Sequence, residues 1–113
     1  MSPGNYGDLM RQVTRMRKDM DKVQEGLKNR FVEAASGGDL VKVTLNGHQE
    51  VVKLNVNPKV FGEVAEKVDV GLLEDLLVAA FSQGIEKSKA LMKSEMEKVT
   101  GGISASGILP GLF

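Results

Sequence analysis

The sequence of 113 residues contains no cysteine and no tryptophan, and its only histidine is His48. Without cysteine the chain can form neither a disulfide bond nor a thiolate metal site. A single histidine that follows a turn leaves no nucleophile–histidine–acid set, and we interpret His48 as an exposed hairpin residue. The sequence therefore predicts a protein that is not an enzyme and has no metal, cofactor or small-molecule substrate.

Long apolar runs and aromatic side chains are also scarce. No apolar stretch reaches the roughly 18 residues that a membrane-spanning helix needs, and the first residues do not have the apolar core of a signal peptide. We therefore expect a cytoplasmic protein with no membrane segment. Four Phe and one Tyr give a light core for a single domain spanning residues 1–113, and a partner chain would supply further burial.

The formal net charge is zero, from 15 basic and 15 acidic residues. This balance counts against an unselective polycation, because nucleic-acid-binding domains are often strongly basic. The charges are not spread evenly along the chain. Residues 8–28 contain six basic and four acidic side chains, a local charge of +2.

Apolar residues between Leu9 and Leu27 recur in alternating steps of four and three, the heptad spacing of a helix with one narrow apolar side. These seam residues are Leu9, Val13, Met16, Met20, Val23 and Leu27. Four basic residues with similar steps fall within about 60° of one another on the opposite side of the helix. This basic stripe consists of Arg11, Arg15, Lys18 and Lys22. The pattern suggests contact with nucleic acid, although an ordinary solvated helix face has the same composition.

Turn and capping residues divide the chain. Asp8 is a candidate N-cap after a flexible lead-in over residues 1–7, and Asp69 is a candidate N-cap for a long last helix. Gly101 and Gly102 stop that helix, and we expect residues 103–113 to form a mobile tail. The predicted elements are a first helix that starts at residue 9 and ends near residues 28–30, strands 31–36, 40–45 and 49–56, a short helix within 60–67, and helix 70–99.

Two tight turns predict a three-stranded antiparallel meander. A two-residue turn at Asn46-Gly47, where both residues tolerate positive φ, and another at Gly37-Gly38 fix the register of the strands. The expected opposite pairs are Val41–Val52, Val43–Glu50, Val32–Val43, Ala34–Val41 and the ion pair Glu33–Lys42. One apolar face would then hold Val32, Ala34, Val41, Val43, Val52 and Leu54.

The lengths of the two long helices indicate that the chain assembles with a partner. Helices of about 30 and 40 Å overhang strands of about 23 Å, and an apolar seam that overhangs in water needs a partner. The simplest partner is a second copy. The last helix is apolar nearly all round in its first half. We expect its apolar residues to form the dimer interface, against either the same helix or the first helix of the second copy. They are Leu73, Leu77, Phe81, Ile85, Met92 and Met96.

Several segments of the chain resemble the YbaB/EbfC family of bacterial nucleoid-associated proteins. They occur in order over nearly the whole chain, from about Leu9 to Phe113. They are the run 37–47 (GGDLVKVTLNG), Glu50-Val51-Val52, Asn57-Pro58, the run 73–81 (LEDLLVAAF), Val99-Thr100-Gly101-Gly102 and Leu109-Pro110-Gly111.

The resemblance implies an α+β fold, with an α-β-β-β-α protomer in a tweezer-like homodimer, and binding of duplex DNA in the nucleoid. It implies DNA contacts through helix ends and protruding arms, without a base-reading motif. In this chain it points to the basic stripe and to Lys87, Lys89, Lys93 and Lys98. Phosphate contacts with modest sequence preference would follow, with effects on nucleoid organisation and gene expression.

The alternative is a coiled-coil-like adaptor or a chaperone-type module that grips another protein. The apolar seam and the zero net charge fit this hypothesis equally well.

Overall fold

The structure, a computed structural model, describes residues 3–61 and 69–101 of the chain. Its order of elements confirms the predicted α-β-β-β-α protomer. The elements are α1 (Pro3–Leu27), β1 (Phe31–Ser36), β2 (Val41–Asn46), β3 (Val51–Val56), a 3-10 helix (Pro58–Phe61) and α2 (Val70–Thr100). Most of the short helix predicted within 60–67 and the predicted tail 103–113 lie outside the described residues.

Helix α1 begins at Pro3 and ends at Leu27, one to three residues before its predicted end. The predicted N-cap at Asp8 is therefore wrong, and most of the predicted lead-in is helical. Proline suits the first turn because its missing N–H would have no partner there. Asp8 lies inside the helix, where its carboxylate accepts a 3.1 Å hydrogen bond from the Arg11 guanidinium one turn later.

Both predicted ends of α2 are confirmed. The Asp69 side chain accepts a 3.0 Å hydrogen bond from the backbone N–H of Leu72, which satisfies one of the free donors of the first turn. Gly101 adopts a left-handed conformation with φ of 61° and donates its N–H to the Glu97 carbonyl. Glycine adopts this conformation without a Cβ penalty, so the helix stops here.

The sheet has the order β1-β2-β3 with antiparallel pairs, as predicted, but in a different register. The observed pairs include Val32–Leu45, Ala34–Val43, Glu33–Thr44, Ala35–Lys42, Val41–Val56 and Val43–Leu54. The predicted pairs Val41–Val52, Val43–Glu50, Val32–Val43 and Ala34–Val41 are thus wrong. So is the Glu33–Lys42 ion pair.

Longer turns explain the shift in register. The first turn has left-handed residues at Gly37, Gly38 and Asp39. In the second, the Asn46 side chain accepts from the N–H groups of His48 (2.9 Å) and Glu50 (3.1 Å), which closes a longer loop. Among the described residues, neither Asn46 nor Gly47 has a positive φ, and Gln49 takes that conformation with φ of 62°.

Despite the wrong register, the residues predicted for the apolar face lie on one face of the sheet, except for Val52. The pairing of Val32 shifts by two residues and that of Val41 by four, and an even shift leaves side chains on the same face. A β-bulge between the Thr44–Lys53 and Leu45–Val51 pairs displaces Val52 from the regular alternation. The buried core consists of Ala34, Val41, Val43, Leu45 and Ala80.

Small residues let α2 approach β2 closely. Ala80, Gly84 and Ser88 follow one another at helical spacing and are all buried. A Cβ built on Gly84 would collide with the Leu45 Cδ1 methyl and lie 3.3 Å from Val43 Cγ1. Since Leu45 is fully buried, its methyl has little room to move away.

Helix α2 covers only part of the sheet. It packs over β1 and β2, and β3 forms the uncovered edge. Every residue of β3 except Val56 is exposed, and Val51, Val52 and Leu54 keep 49%, 50% and 45% of their accessible surface. The protomer therefore presents an apolar edge strand to solvent.

Replacing Gly84 by Ala is expected to lower the free energy of unfolding by about 1–3 kcal/mol, the usual cost of overpacking a core. Gly26→Ala is the matched control, because a Cβ there meets no atom within 4 Å. That substitution should raise the free energy of unfolding by about 0.5–1 kcal/mol through helix propensity. Urea unfolding followed by circular dichroism measures both. Equal stability of Gly84→Ala and wild type would contradict the close packing of α2 on β2.

Candidate nucleic-acid interface

The basic stripe lies on the solvent face of α1. All four of its side chains are exposed, and together they line one open surface groove with Met10, Thr14 and Asp19. Arg11 and Lys22 are separated by 11 residues, or about 16 Å of helix, which equals about five base-pair steps along a DNA strand. The stripe can therefore follow several consecutive phosphates.

Two carboxylates moderate the positive potential of this surface. Asp8 pairs with Arg11 at 3.1 Å, and both side chains are largely exposed. Asp19 lines the same groove as the stripe. Within the described part of the chain, Arg15, Lys18 and Lys22 form no ion pair, so their charges are free to meet an anion.

The four predicted lysines of α2 do not form one surface with equal properties. Lys87 Nζ donates a 2.8 Å hydrogen bond to the Glu33 carbonyl of β1. Lys98 pairs with Glu95 at 2.9 Å. Lys89 and Lys93 are exposed. The structure therefore leaves Lys89 and Lys93 as the more available pair on this helix.

Most of the predicted dimer-interface residues contact their own protomer. Leu73, Leu77, Phe81 and Ile85 are partly buried against the core of the sheet. Met96 is only 3% exposed, and its sulfur accepts a 3.8 Å hydrogen bond from the side-chain amide of Gln24 in α1. Met92 is half-buried. These six residues have limited surface left for a second copy.

Burial of the α1 seam is graded along the helix. Leu27 is 1% exposed, Met16, Met20 and Val23 are half-buried, and Val13 and Leu9 are 44% and 47% exposed. The end of α1 near Gln24 lies beside Met96, four residues before α2 ends. The N-terminal half of α1, which carries Arg11 and Arg15 of the basic stripe, therefore projects beyond the body of the protomer.

The β2–β3 loop, residues 46–50, joins both helices, which the sequence analysis missed. Gly47 donates its N–H to the Leu27 carbonyl at 2.9 Å, and a Cβ on Gly47 would lie 2.6–2.9 Å from Leu27 atoms. His48 is half-buried, and its Nε2 lies 2.5 Å from the Gln24 carbonyl oxygen. The prediction of His48 as an exposed hairpin residue is wrong, because the loop turns it toward the end of α1.

Glu95 links α2 to the segment that follows α1. Its carboxylate lies 2.9 Å from Lys98 Nζ and 3.3 Å from a guanidinium nitrogen of Arg30, and its side chain is 17% exposed. The hydrogen bond from Lys98, with a further contribution from Arg30, lowers the pKa of Glu95 below its ordinary value of 4.5.

Neither a metal-binding cluster nor a membrane-spanning helix is found in the described ranges 3–61 and 69–101. No group of three His, Asp or Glu side chains there is placed to hold a metal ion. None of the helices in these ranges has the length and apolar character needed to cross a membrane.

Comparison with known proteins identifies the family. The model of the YbaB/EbfC DNA-binding family matches residues 2–103. The chain belongs to this family. A nucleoid-associated protein of Caldanaerobacter subterraneus subsp. tengcongensis is 40% identical over 109 residues, which cover 96% of this chain and 91% of the relative. A nucleoid-associated protein of Pelotomaculum thermopropionicum is 37% identical over the full length of both chains.

A solved structure has the same fold. The crystal structure of an uncharacterised protein from Helicobacter pylori matches 83% of this chain and 91% of its own, with a TM-score of 0.64 and 23% identity. At that identity the likeness establishes the fold alone.

The lowered pKa of Glu95 predicts a pH dependence of stability. A carboxyl group whose folded pKa is lowered stabilises the fold above its unfolded pKa and loses this contribution as pH falls through the folded pKa. The advantage of wild type over Glu95→Gln should therefore be full at pH 6 and shrink steadily below about pH 4.5. Urea titrations of both proteins between pH 3 and 6 measure this difference, and a constant difference would contradict the assignment.

Proposed function

We propose that the chain is a nucleoid-associated protein that binds duplex DNA as a homodimer, mainly through phosphate contacts. Family membership and the names of the curated relatives support DNA binding in the nucleoid. The observation that carries the proposal is the exposed basic stripe on one side of α1, three of whose four charges form no ion pair among the described residues.

Contacts of this kind position a protein on DNA without reading its sequence. Lysine and arginine side chains that meet phosphates displace condensed counterions, so affinity falls as salt rises. Lys89 and Lys93 on α2 would add to the same interaction, whereas Lys87 and Lys98 would first have to leave their present partners. Sequence preference would be modest and would come from groove shape or from the spacing of the arms. Occupancy of many sites in this manner would affect nucleoid organisation and gene expression.

The homodimer is supported by the uncovered edge strand β3. An exposed strand edge presents unpaired backbone N–H and C=O groups, and apolar side chains on it favour pairing with another chain. Val51 and Leu54 are about half exposed and lie on the α2 side of the sheet, opposite Leu45 and Val43. A second copy paired through β3 about a two-fold axis would cover them. The projecting halves of α1 would then form the arms of a tweezer-like dimer.

A salt series tests the DNA-binding surface. In Arg15→Ala/Lys18→Ala, the slope of log affinity against log salt should fall by about two for each protomer engaged, since each lost phosphate contact changes it by about 0.9. The control is Arg17→Ala/Lys28→Ala, which removes the same charge. Arg17 points about 100° away from the stripe on α1, and Lys28 follows the end of α1 and pairs with Glu25 at 3.1 Å. The control should keep the wild-type slope on a labelled duplex of random sequence.

Two results would count against this assignment. Equal losses of slope in both double variants would show that general charge, rather than the stripe, determines binding. Wild-type protein that fails to bind even at low salt would favour the adaptor alternative, which the exposed seam residues Leu9 and Val13 also fit. A stoichiometric protein partner that is retained after nuclease treatment would then identify that function.

A pair of neighbouring substitutions tests the dimer. Leu54→Lys places a charge on the apolar side of β3, and Asn55→Lys places the same charge on the opposite side of the same exposed strand. Sedimentation velocity at micromolar concentration should show a monomer for Leu54→Lys and a dimer for Asn55→Lys and wild type. A folded Leu54→Lys protein that stays dimeric would instead favour the α2 residues as the interface.

A further inference from the structure

The orientation of the projecting half of α1 is set at one end only. Leu27 is buried, whereas the seam toward Leu9 is increasingly exposed. Arg11 lies 13 residues from Gln24, or about 20 Å along the helix. A tilt of about 10° at Gln24 would therefore move Arg11 by about 3.5 Å, comparable to one base-pair step. Contacts at the C-terminal end of α1 consequently control where the basic stripe lies.

The last four carbonyl groups of α1 have different kinds of hydrogen-bond partner. The final four carbonyls of a helix have no donor within the regular helix. Those of Glu25, Gly26 and Leu27 accept from the backbone N–H groups of Lys28 (3.4 Å), Asn29 (3.1 Å) and Arg30 (3.2 Å), in a tightened last turn. The Gln24 carbonyl instead lies 2.5 Å from His48 Nε2. Since a carbonyl oxygen only accepts, Nε2 is the donor.

The loop that carries His48 is fixed to α2. Ser88 of α2 is fully buried and donates a 2.6 Å hydrogen bond to the Asn46 carbonyl. Gln49 donates to the Ser88 hydroxyl from its backbone N–H at 2.9 Å and from its side chain at 3.1 Å. His48 lies between these two anchored residues. The imidazole therefore connects α1 to a loop that has little freedom to move.

His48 is also placed away from the basic stripe. Gln24 and Lys22 are two residues apart on α1, so they point about 200° apart around the helix axis. A phosphate bound to the stripe would lie on the far side of the helix from the imidazole.

We propose that His48 is a positioning residue for the DNA-binding arm, which acts by holding the Gln24 carbonyl and thereby fixing the angle of α1. This inference rests on the proposed function. His48 itself makes no contact with DNA, and its contribution is to keep the stripes of two protomers at a constant separation. Arms fixed before DNA arrives lose less conformational freedom on binding.

The test compares His48→Ala with His48→Gln, since the glutamine amide can again donate to the Gln24 carbonyl. His48→Ala is expected to bind a labelled random duplex about 3- to 10-fold more weakly with an unchanged salt slope, because the number of phosphates contacted stays the same. His48→Gln should recover most of the affinity. A reduced salt slope in His48→Ala would show direct phosphate contact and would overturn the positioning role.

A second measurement follows the arm without DNA. The chain has no cysteine, so spin labels can be attached at Gln12→Cys on α1 and Gln83→Cys on α2, both at exposed positions. Dimers with one labelled protomer, made with excess unlabelled chain, give the intramolecular distance by pulsed electron paramagnetic resonance. The distribution should be narrow for wild type and His48→Gln and broader or shifted for His48→Ala.

The two measurements separate the inference from the proposed function. Unchanged distance distributions and affinities in His48→Ala would overturn the role of His48 while leaving DNA binding by the stripe intact. A broadened distribution in a protein that binds no DNA at any salt would overturn the proposed function and retain the structural connection between His48 and α1.

Discussion

The hydroxyl group of Ser88 is fully buried and makes three hydrogen bonds to the β2–β3 loop. A hydroxyl has one donor and two lone pairs, so this group is fully satisfied. Leaving such a buried group unpaired would cost about 1–3 kcal/mol, which makes the position of the loop on α2 specific. The same loop contacts the end of α1 through Gly47 and His48. Both helices and the sheet therefore meet at residues 46–49, and displacement of this loop would change their mutual arrangement.

Zero net charge is compatible with phosphate binding because the charges are segregated. On α1 the basic stripe and the apolar seam occupy opposite sides, so the positive side chains stay in solvent while the seam contributes to packing near Leu27. Exposed ion pairs such as Asp8–Arg11 contribute little to stability, typically below about 1 kcal/mol. A phosphate can therefore displace the Asp8 carboxylate at small cost. The balance of charge limits long-range attraction more than it limits contact at the stripe.

Local patterns predicted the elements well, and long-range pairing was predicted poorly. The heptad seam, the Asp69 cap and the Gly101 stop depend on neighbours within one or two helical turns, which the sequence displays directly. Register depends on loop length, and the Asn46 side chain lengthens the second turn by bonding to residues two and four positions later. The α1 start was missed because Asp8 is a good cap residue, yet its carboxylate pairs with Arg11 inside the helix.

The same distinction applies to the candidate site. A helical wheel identifies the basic stripe, and i,i+3 spacing could have indicated that Lys98 pairs with Glu95. The hydrogen bond from Lys87 to the Glu33 carbonyl joins residues 54 positions apart, which no local pattern reveals. His48 gave no signal either, because its partner is a backbone carbonyl 24 residues earlier. The exposure of β3 follows from the width of sheet that α2 covers, which is a property of the packed protomer.

The projecting half of α1 connects stability to binding. A single helix of about 15 residues is marginal in water on its own, because nucleation is costly and each added residue contributes little. In this chain the helix is continuous with turns that are packed and capped near Leu27, so the nucleus is supplied by the fold. Phosphates bound along the stripe would then stabilise the outer turns further, since a ligand that prefers the ordered helix shifts the population toward it. If the arm were loosely held, ordering it would offset part of the favourable free energy of binding. The contact between His48 and the Gln24 carbonyl restrains the arm at its base, and under the proposed function it would lower that cost before DNA is bound.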